Sequence, residues 1–141
     1  MTALVADIGG TNARFALVDA TAATLQWREQ RSLPAAEYAS LEHAIEHYLA
    51  ATGAKPTQAA LAVACPVTGD EIRLTNRAWA FSQRELKARL SLQRLRVLND
   101  FGAVAHAVPA LQPGDVVTLH GDSALPPRGP VSVIGPGTGL G

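Results

Sequence analysis

Ala3-Leu4-Val5-Ala6-Asp7-Ile8-Gly9-Gly10-Thr11-Asn12-Ala13-Arg14-Phe15-Ala16-Leu17-Val18-Asp19 is the stretch that decides the fold. Ala3 to Ile8 is short and apolar and runs into Gly-Gly, which reads as a buried strand ending in a tight turn. Arg14 to Asp19 alternates enough to return as its antiparallel partner, and Leu25 to Leu33 reads as a third strand. The chain therefore opens β-β-β, with the Gly9-Gly10 turn at one edge of a sheet.

Beyond the opening, the pattern turns helical. Leu41, Ala44, Ile45, Tyr48 and Leu49 fall on one face of a helix from Leu41 to Thr52, with Ser40 as N-cap and Gly53 as terminator. Gln58 to Ala64 supplies another buried strand, and Glu71 to Phe81 a weaker extended stretch after a turn at Pro66, Gly69 and Asp70. Ser82 and Glu85 form a capping box, flanked by Phe81 and Leu86 as a hydrophobic staple, for a helix from Gln83 to about Leu90. Leu95 to Leu98 is a strand with Asn99-Asp100 at its end. Phe101 to Leu111 is helical until Pro113-Gly114, and a Pro/Gly-rich link from Ala124 to Pro130 leads to a last strand, Val131 to Ile134. The order describes an α/β fold, a mixed β-sheet flanked by helices.

Composition narrows the function. The chain has 141 residues, 48% of them hydrophobic, enough for one ordinary core. Its 12 basic and 12 acidic residues cancel and form no basic stripe, which speaks against nucleic acid as a partner. No apolar run approaches the ~18 residues that span a bilayer, and the N-terminus lacks a signal peptide's basic start. The single cysteine, Cys65, sits in an apolar run and reads as a buried, inert thiol suited to a reducing cytoplasm.

Two glycine-bearing loops carry the chemistry: Asp7 to Arg14, and Gly135-Pro136-Gly137-Thr138-Gly139-Leu140-Gly141. Adjacent glycines after a strand let backbone N–H groups approach phosphate oxygens, Thr11 adds a hydroxyl, Arg14 a guanidinium, and Asp7 a carboxylate for magnesium, directly or through water. A plain hairpin turn also uses Gly-Gly. Neither loop matches a Walker motif, which needs Gly-Lys-Ser/Thr, and the second has Leu140 where a dinucleotide fingerprint needs glycine. Asp100, at a strand's carboxyl end, can take a proton from an attacking alcohol while Asn99 bonds a second hydroxyl; it can equally cap the helix that follows, and both roles can coexist. The chain stops inside its second loop, so a fragment is expected, inactive alone.

His43-Ala44-Ile45-Glu46-His47 matches the H-x-x-E-H pattern of zinc peptidases, but its histidines fall on the polar face of the expected helix with no third ligand in view, so a solvated surface is the better reading. Trp79 reads as a core or hinge aromatic.

Leu4 to Leu17, Ala64-Cys65-Pro66-Val67-Thr68-Gly69-Asp70, Leu74-Thr75-Asn76, Trp79-Ala80-Phe81-Ser82, Leu98-Asn99-Asp100-Phe101 and Gly137-Thr138-Gly139-Leu140-Gly141 together resemble the bacterial glucokinase family, in its order and over nearly the whole chain. The resemblance implies the small lobe of an actin-like ATPase (ribonuclease H-like) fold plus the first strand of the large lobe, divided as residues 1–111 and 112–141. It implies an ATP-dependent hexose kinase in glycolysis, with glucose and ATP as substrates, Mg2+ as cofactor, a cytoplasmic location and a homodimeric full-length form. Asp7, Ile8, Gly9, Gly10, Thr11, Asn12 and Arg14 would then form the first phosphate loop and Gly137, Thr138 and Gly139 the second. Asn99 would bind the sugar, and Asp100 would be the base for its 6-hydroxyl. A sugar-sensing repressor would need a DNA-reading module ahead of residue 3, and an actin- or chaperone-like ATPase would not need the Asn99-Asp100 pair.

Overall fold

The computed structural model describes residues 1–22, 26–75, 78–121 and 129–135. The opening hairpin forms as expected. β1 (Thr2–Ile8) pairs antiparallel with β2 (Asn12–Asp19), from Thr2 opposite Asp19 to Ile8 opposite Ala13, and β3 (Trp27–Pro34) lies antiparallel outside β2. Leu25, expected to begin the third strand, lies outside the described residues. Alternation sends Leu4, Ala6 and Ile8, with Ala13, Phe15 and Leu17, into the core, and leaves Asp7 and Arg14 on the other face.

α1 (Leu41–Thr52) begins where Ser40 Oγ accepts the His43 N–H at 3.3 Å and ends at Gly53, whose φ of 66° is left-handed. Its buried residues Leu41, Ala44, Ile45 and Tyr48 cover the core face of the sheet. The Tyr48 ring stacks on Phe15 at 5.1 Å, and its hydroxyl donates to the Glu29 carbonyl at 2.9 Å. Leu4, Ile8, Leu41, Ile45 and Leu61 are among the largest side chains removed from water. Each contributes about 1.5–3 kcal/mol before conformational entropy is subtracted.

β4 (Gln58–Val63) runs parallel to β1. β5 (Glu71–Arg73) and β6 (Ala80–Ser82) form a separate antiparallel pair, so the expected extended stretch over 71–81 is two short strands rather than one. α2 (Gln83–Arg89) follows, with Phe81 and Leu86 both buried as the staple requires. Its cap differs from the expected box. Ser82 Oγ accepts the Glu85 N–H at 3.1 Å, but Asp70 supplies the second acceptor, taking the Arg84 N–H at 2.9 Å and the Ser82 hydroxyl at 2.6 Å. β7 (Arg94–Asn99) then pairs parallel to β4, completing a five-stranded sheet of order β3-β2-β1-β4-β7. Parallel neighbours need a crossover, and α1 and α2 lie in the two crossovers that return the chain to β4 and β7.

The chain forms two units, Met1–Asn99 and Asp100–Gly141. The first holds the sheet, α1, α2 and the core. In the second, α3 (Asp100–Ala107) begins one residue earlier than expected and passes into a 3-10 turn at Val108–Ala110, where Pro109 cannot supply an α-helical N–H. A further 3-10 turn spans Pro113–Asp115. Val131 to Ile134, expected as a strand, is irregular backbone. An apolar run becomes a strand only when a neighbour completes its hydrogen-bond ladder, and no such neighbour is found among the described residues.

Candidate functional site

The carboxyl ends of three parallel strands lie side by side. Ile8 of β1 is in register with Val63 of β4, and Val63 with Asn99 of β7. With adjacent strands ~4.8 Å apart, the ends of β1 and β7 are about 10 Å apart. The loops beyond them are stitched together. The Ala64 N–H donates to the Ile8 carbonyl at 3.2 Å, the Cys65 N–H to the Val63 carbonyl at 2.8 Å, and Asn99 Nδ2 to the Cys65 carbonyl at 3.2 Å. In open α/β sheets, ligands bind beyond this edge of the strands.

The glycine loop occupies the β1 end of that edge. Its turn closes through the Gly9 N–H on the Asn12 carbonyl at 3.0 Å, and the Thr11 carbonyl accepts the Ala35 N–H at 2.9 Å, which ties the loop to the residue after β3. Gly9 does not adopt a left-handed φ, and a Cβ there would meet only the Asn12 carbonyl oxygen, at an ordinary 3.5 Å. The fold therefore does not demand glycine at this position. The Thr11 side chain is exposed and Asn12 half-buried, whereas Ile8 is a core residue whose side chain is wholly enclosed.

Asp7 and Arg14 face each other across the hairpin, with Arg14 Nη1 donating to Asp7 Oδ2 at 2.7 Å, and both side chains are more than half exposed. Exposed pairs of this kind add little stability. They leave a charged couple at the mouth of the loop. Magnesium is commonly held by one or two carboxylates together with substrate phosphates. The described residues contain no cluster of three or more His, Cys, Asp or Glu able to cage a metal. A single carboxylate such as Asp7 would suit a magnesium ion shared with phosphate.

Asn99 closes β7, and Asp100 opens α3, where its Oδ1 accepts the Phe101 N–H at 3.0 Å. Gly137, Thr138 and Gly139 lie outside the described residues. The H-x-x-E-H stretch has another use. Arg89 grips Glu46 with two charge-assisted bonds of 2.5 and 2.9 Å, which hold that carboxyl below its ordinary range, and His47 lies against the Tyr38 ring at 5.4 Å. Trp79 is a core aromatic, its Nε1 donating to the Tyr38 carbonyl at 3.1 Å, and Cys65 is a buried residue that forms no disulfide. What sequence reasoning missed is the Cys65 carbonyl as anchor for Asn99. A backbone acceptor 34 residues away leaves no mark in composition or periodicity.

Solved structures define the class: the sheet and its flanking helices are the fold of the sugar kinases with an actin-like ATPase architecture. A crystal structure of glucokinase from an Antarctic psychrotroph aligns with a TM-score of 0.74 at 44% identity, covering 79% of this chain and 36% of that one. A ROK family glucokinase from Streptomyces griseus, solved with glucose and AMPPNP, shares the fold at a TM-score of 0.50 and 18% identity, over 74% of this chain and 35% of that one. The glucokinase family profile matches residues 4–141, and the chain belongs to that family. Glucokinase of Tolumonas auensis is 46% identical over 138 residues, and that of Chromohalobacter salexigens 48% identical over 140. Those alignments cover 98% and 99% of this chain but only 42% and 43% of the relatives, so the chain spans less than half of their length. No helix among the described residues is long and apolar enough to cross a membrane.

Proposed function

We propose that this chain acts within a glucokinase of the relatives' length, which transfers the γ-phosphoryl group of ATP to the 6-hydroxyl of glucose. The observation that supports this reading most is the common row of Ile8, Val63 and Asn99, which sets the glycine loop and the Asn99 side chain on one edge of the sheet. Residues 1–111 form the small lobe and 112–141 lead into the large one. Asp7, Ile8, Gly9, Gly10, Thr11, Asn12 and Arg14 make the first phosphate loop, and Gly137, Thr138 and Gly139 the second.

Asn99 bonds a sugar hydroxyl and Asp100 accepts the proton of the 6-hydroxyl as its oxygen bonds to phosphorus. The bond from phosphorus to the bridging oxygen breaks, and its electron pair leaves with ADP. The transition state is loose, so positioning by the loops and by Asn99 matters more than the basicity of Asp100. Magnesium, held by Asp7 directly or through water, would neutralise phosphate charge. The enzyme is cytoplasmic, in keeping with a buried cysteine that forms no disulfide, and its homodimeric form rests on the family resemblance alone.

The test is ATP consumption by the full-length protein with and without glucose. Sugar-dependent turnover is expected, and sugar-independent hydrolysis or filament formation would favour an actin- or chaperone-like ATPase instead. Asp100→Ala should lower turnover at least ~10²-fold with nucleotide affinity nearly unchanged. Wild-type turnover in that variant refutes the base assignment.

A further inference from the structure

Asp100 and the second glycine-bearing stretch meet at Phe101, which carries no reactive group. Phe101 follows Asp100 in the first turn of α3, and its N–H donates to Asp100 Oδ1 at 3.0 Å. Its ring reaches Gly135, where a Cβ built on the backbone would overlap the ring's Cζ and Cε1 atoms. Other glycines have room for a side chain. At Gly9 a Cβ would make one ordinary contact, and at Gly69, Gly102 and Gly114 it would meet nothing within 4 Å. Gly135 is not in the left-handed region either, so what excludes a side chain there is the ring and not the backbone conformation.

Packing alone does not account for so close an approach. A ring that only filled space could do so against alanine, whose chain loses less entropy on folding. Glycine lets the ring lie on bare backbone. With only two χ angles, a phenyl group becomes a spacer of fixed length once α3 has formed. One residue thus bonds the Asp100 carboxylate through its backbone and, through its ring, meets the chain that leads into Gly137.

On the kinase reading, we propose that Phe101 is a positioning residue of the phosphoryl transfer: its N–H orients the Asp100 carboxylate, and its ring sets the spacing between that carboxylate and the second glycine loop. It acts through Asp100 and the loop rather than on either substrate. Transfer through a loose transition state depends on placement, with reacting atoms about 3–3.5 Å apart, so a displacement of ~1 Å between base and phosphate cradle slows the reaction severely.

Three variants of the full-length protein test this: Gly135→Ala, Phe101→Ala and the pair Phe101→Leu with Gly135→Ala. Each is read by kcat, by the dissociation constants of glucose and of ATP, and by thermal melting. A methyl group at 135 displaces the ring and alanine at 101 removes it, so each single variant should lose at least ~10-fold in kcat while both dissociation constants stay within ~3-fold of the parent's. Leucine lacks the Cζ and Cε1 atoms that the methyl group would meet, so the pair should regain a kcat within ~3-fold of the parent's. A merely structural contact would lower the melting temperature and leave kcat alone.

Wild-type kcat in either single variant overturns the proposal, whatever the melting temperatures. So does a loss in Gly135→Ala that leucine at 101 does not relieve, which would place the effect in the loop itself. If a Gly135 variant does not fold, Phe101→Ala decides by the same measure. A parent without glucose-dependent turnover overturns the kinase reading and this proposal together, whereas an active parent with indifferent variants removes this proposal alone.

Discussion

Asn99 Nδ2 donates to the Cys65 carbonyl at 3.2 Å, tying the last residue of β7 to the loop beyond β4 across 34 positions of sequence. The residue offered as a sugar ligand is thus also a structural tie. Asn99→Ala should lower the stability of the isolated chain by about 0.5–1.5 kcal/mol, the net worth of a typical hydrogen bond. Urea unfolding measures it, and an unchanged midpoint would mean that water replaces the amide without loss.

Two glycines should respond in opposite ways to alanine. Gly53 sits at φ 66° with open space around it, so Gly53→Ala carries a purely conformational penalty of about 1–2 kcal/mol. Gly9 has neither a left-handed φ nor a close neighbour, so Gly9→Ala should leave thermal stability unchanged or slightly raised. In the full-length protein the same Gly9 variant should lose at least ~10-fold in nucleotide affinity, because a methyl group would then stand where phosphate approaches. Normal affinity would show that the loop is only a turn.

Tyr48 separates hydrogen bonding from packing. Its ring is wholly buried against Phe15 and its hydroxyl reaches the Glu29 carbonyl at 2.9 Å. Tyr48→Phe should cost about 1 kcal/mol, and Tyr48→Ala about 3–5 kcal/mol through the cavity left under the sheet. Equal losses in chemical denaturation would mean that the hydroxyl, not the ring, holds α1 in place.

Acid stability should depend on Asp70. Its carboxyl is held below the ordinary range by the Ser82 hydroxyl, the Arg84 backbone N–H and the Arg84 charge. A depressed folded-state value means that the stabilisation is fully present above the unfolded carboxylate value, about 3.9, and is lost as pH falls through the folded one. Glu46, held down chiefly by the bonds from Arg89, acts in the same direction. Asp70→Asn should therefore lower the unfolding midpoint at pH 7 and flatten its fall below pH ~4. An acid limb as steep as the parent's would place the sensitivity in other carboxylates.

Several elements were legible because their cause lies within a few residues. The strand-turn-strand opening follows from apolar residues closed by Gly9-Gly10, α1 from its 3.6-residue stripe between Ser40 and Gly53, and the start of α2 from Ser82 with the Phe81–Leu86 staple. Val131 to Ile134 went the other way: it is apolar enough for a strand, but a strand needs a partner that lies elsewhere in the chain. Glu46 likewise matched a metal-site pattern locally, and was taken by Arg89 from another helix.

The sequence by itself determined the opening hairpin, α1 and the start of α2, since periodicity, caps and glycines act over one or two turns of chain. Only the tertiary structure decided that Ile8, Val63 and Asn99 end in one row and that Asp70 caps a helix 14 residues further on. Those relations are fixed by strand order and register, which depend on how the buried faces of distant segments fit together, and no local pattern encodes that fit.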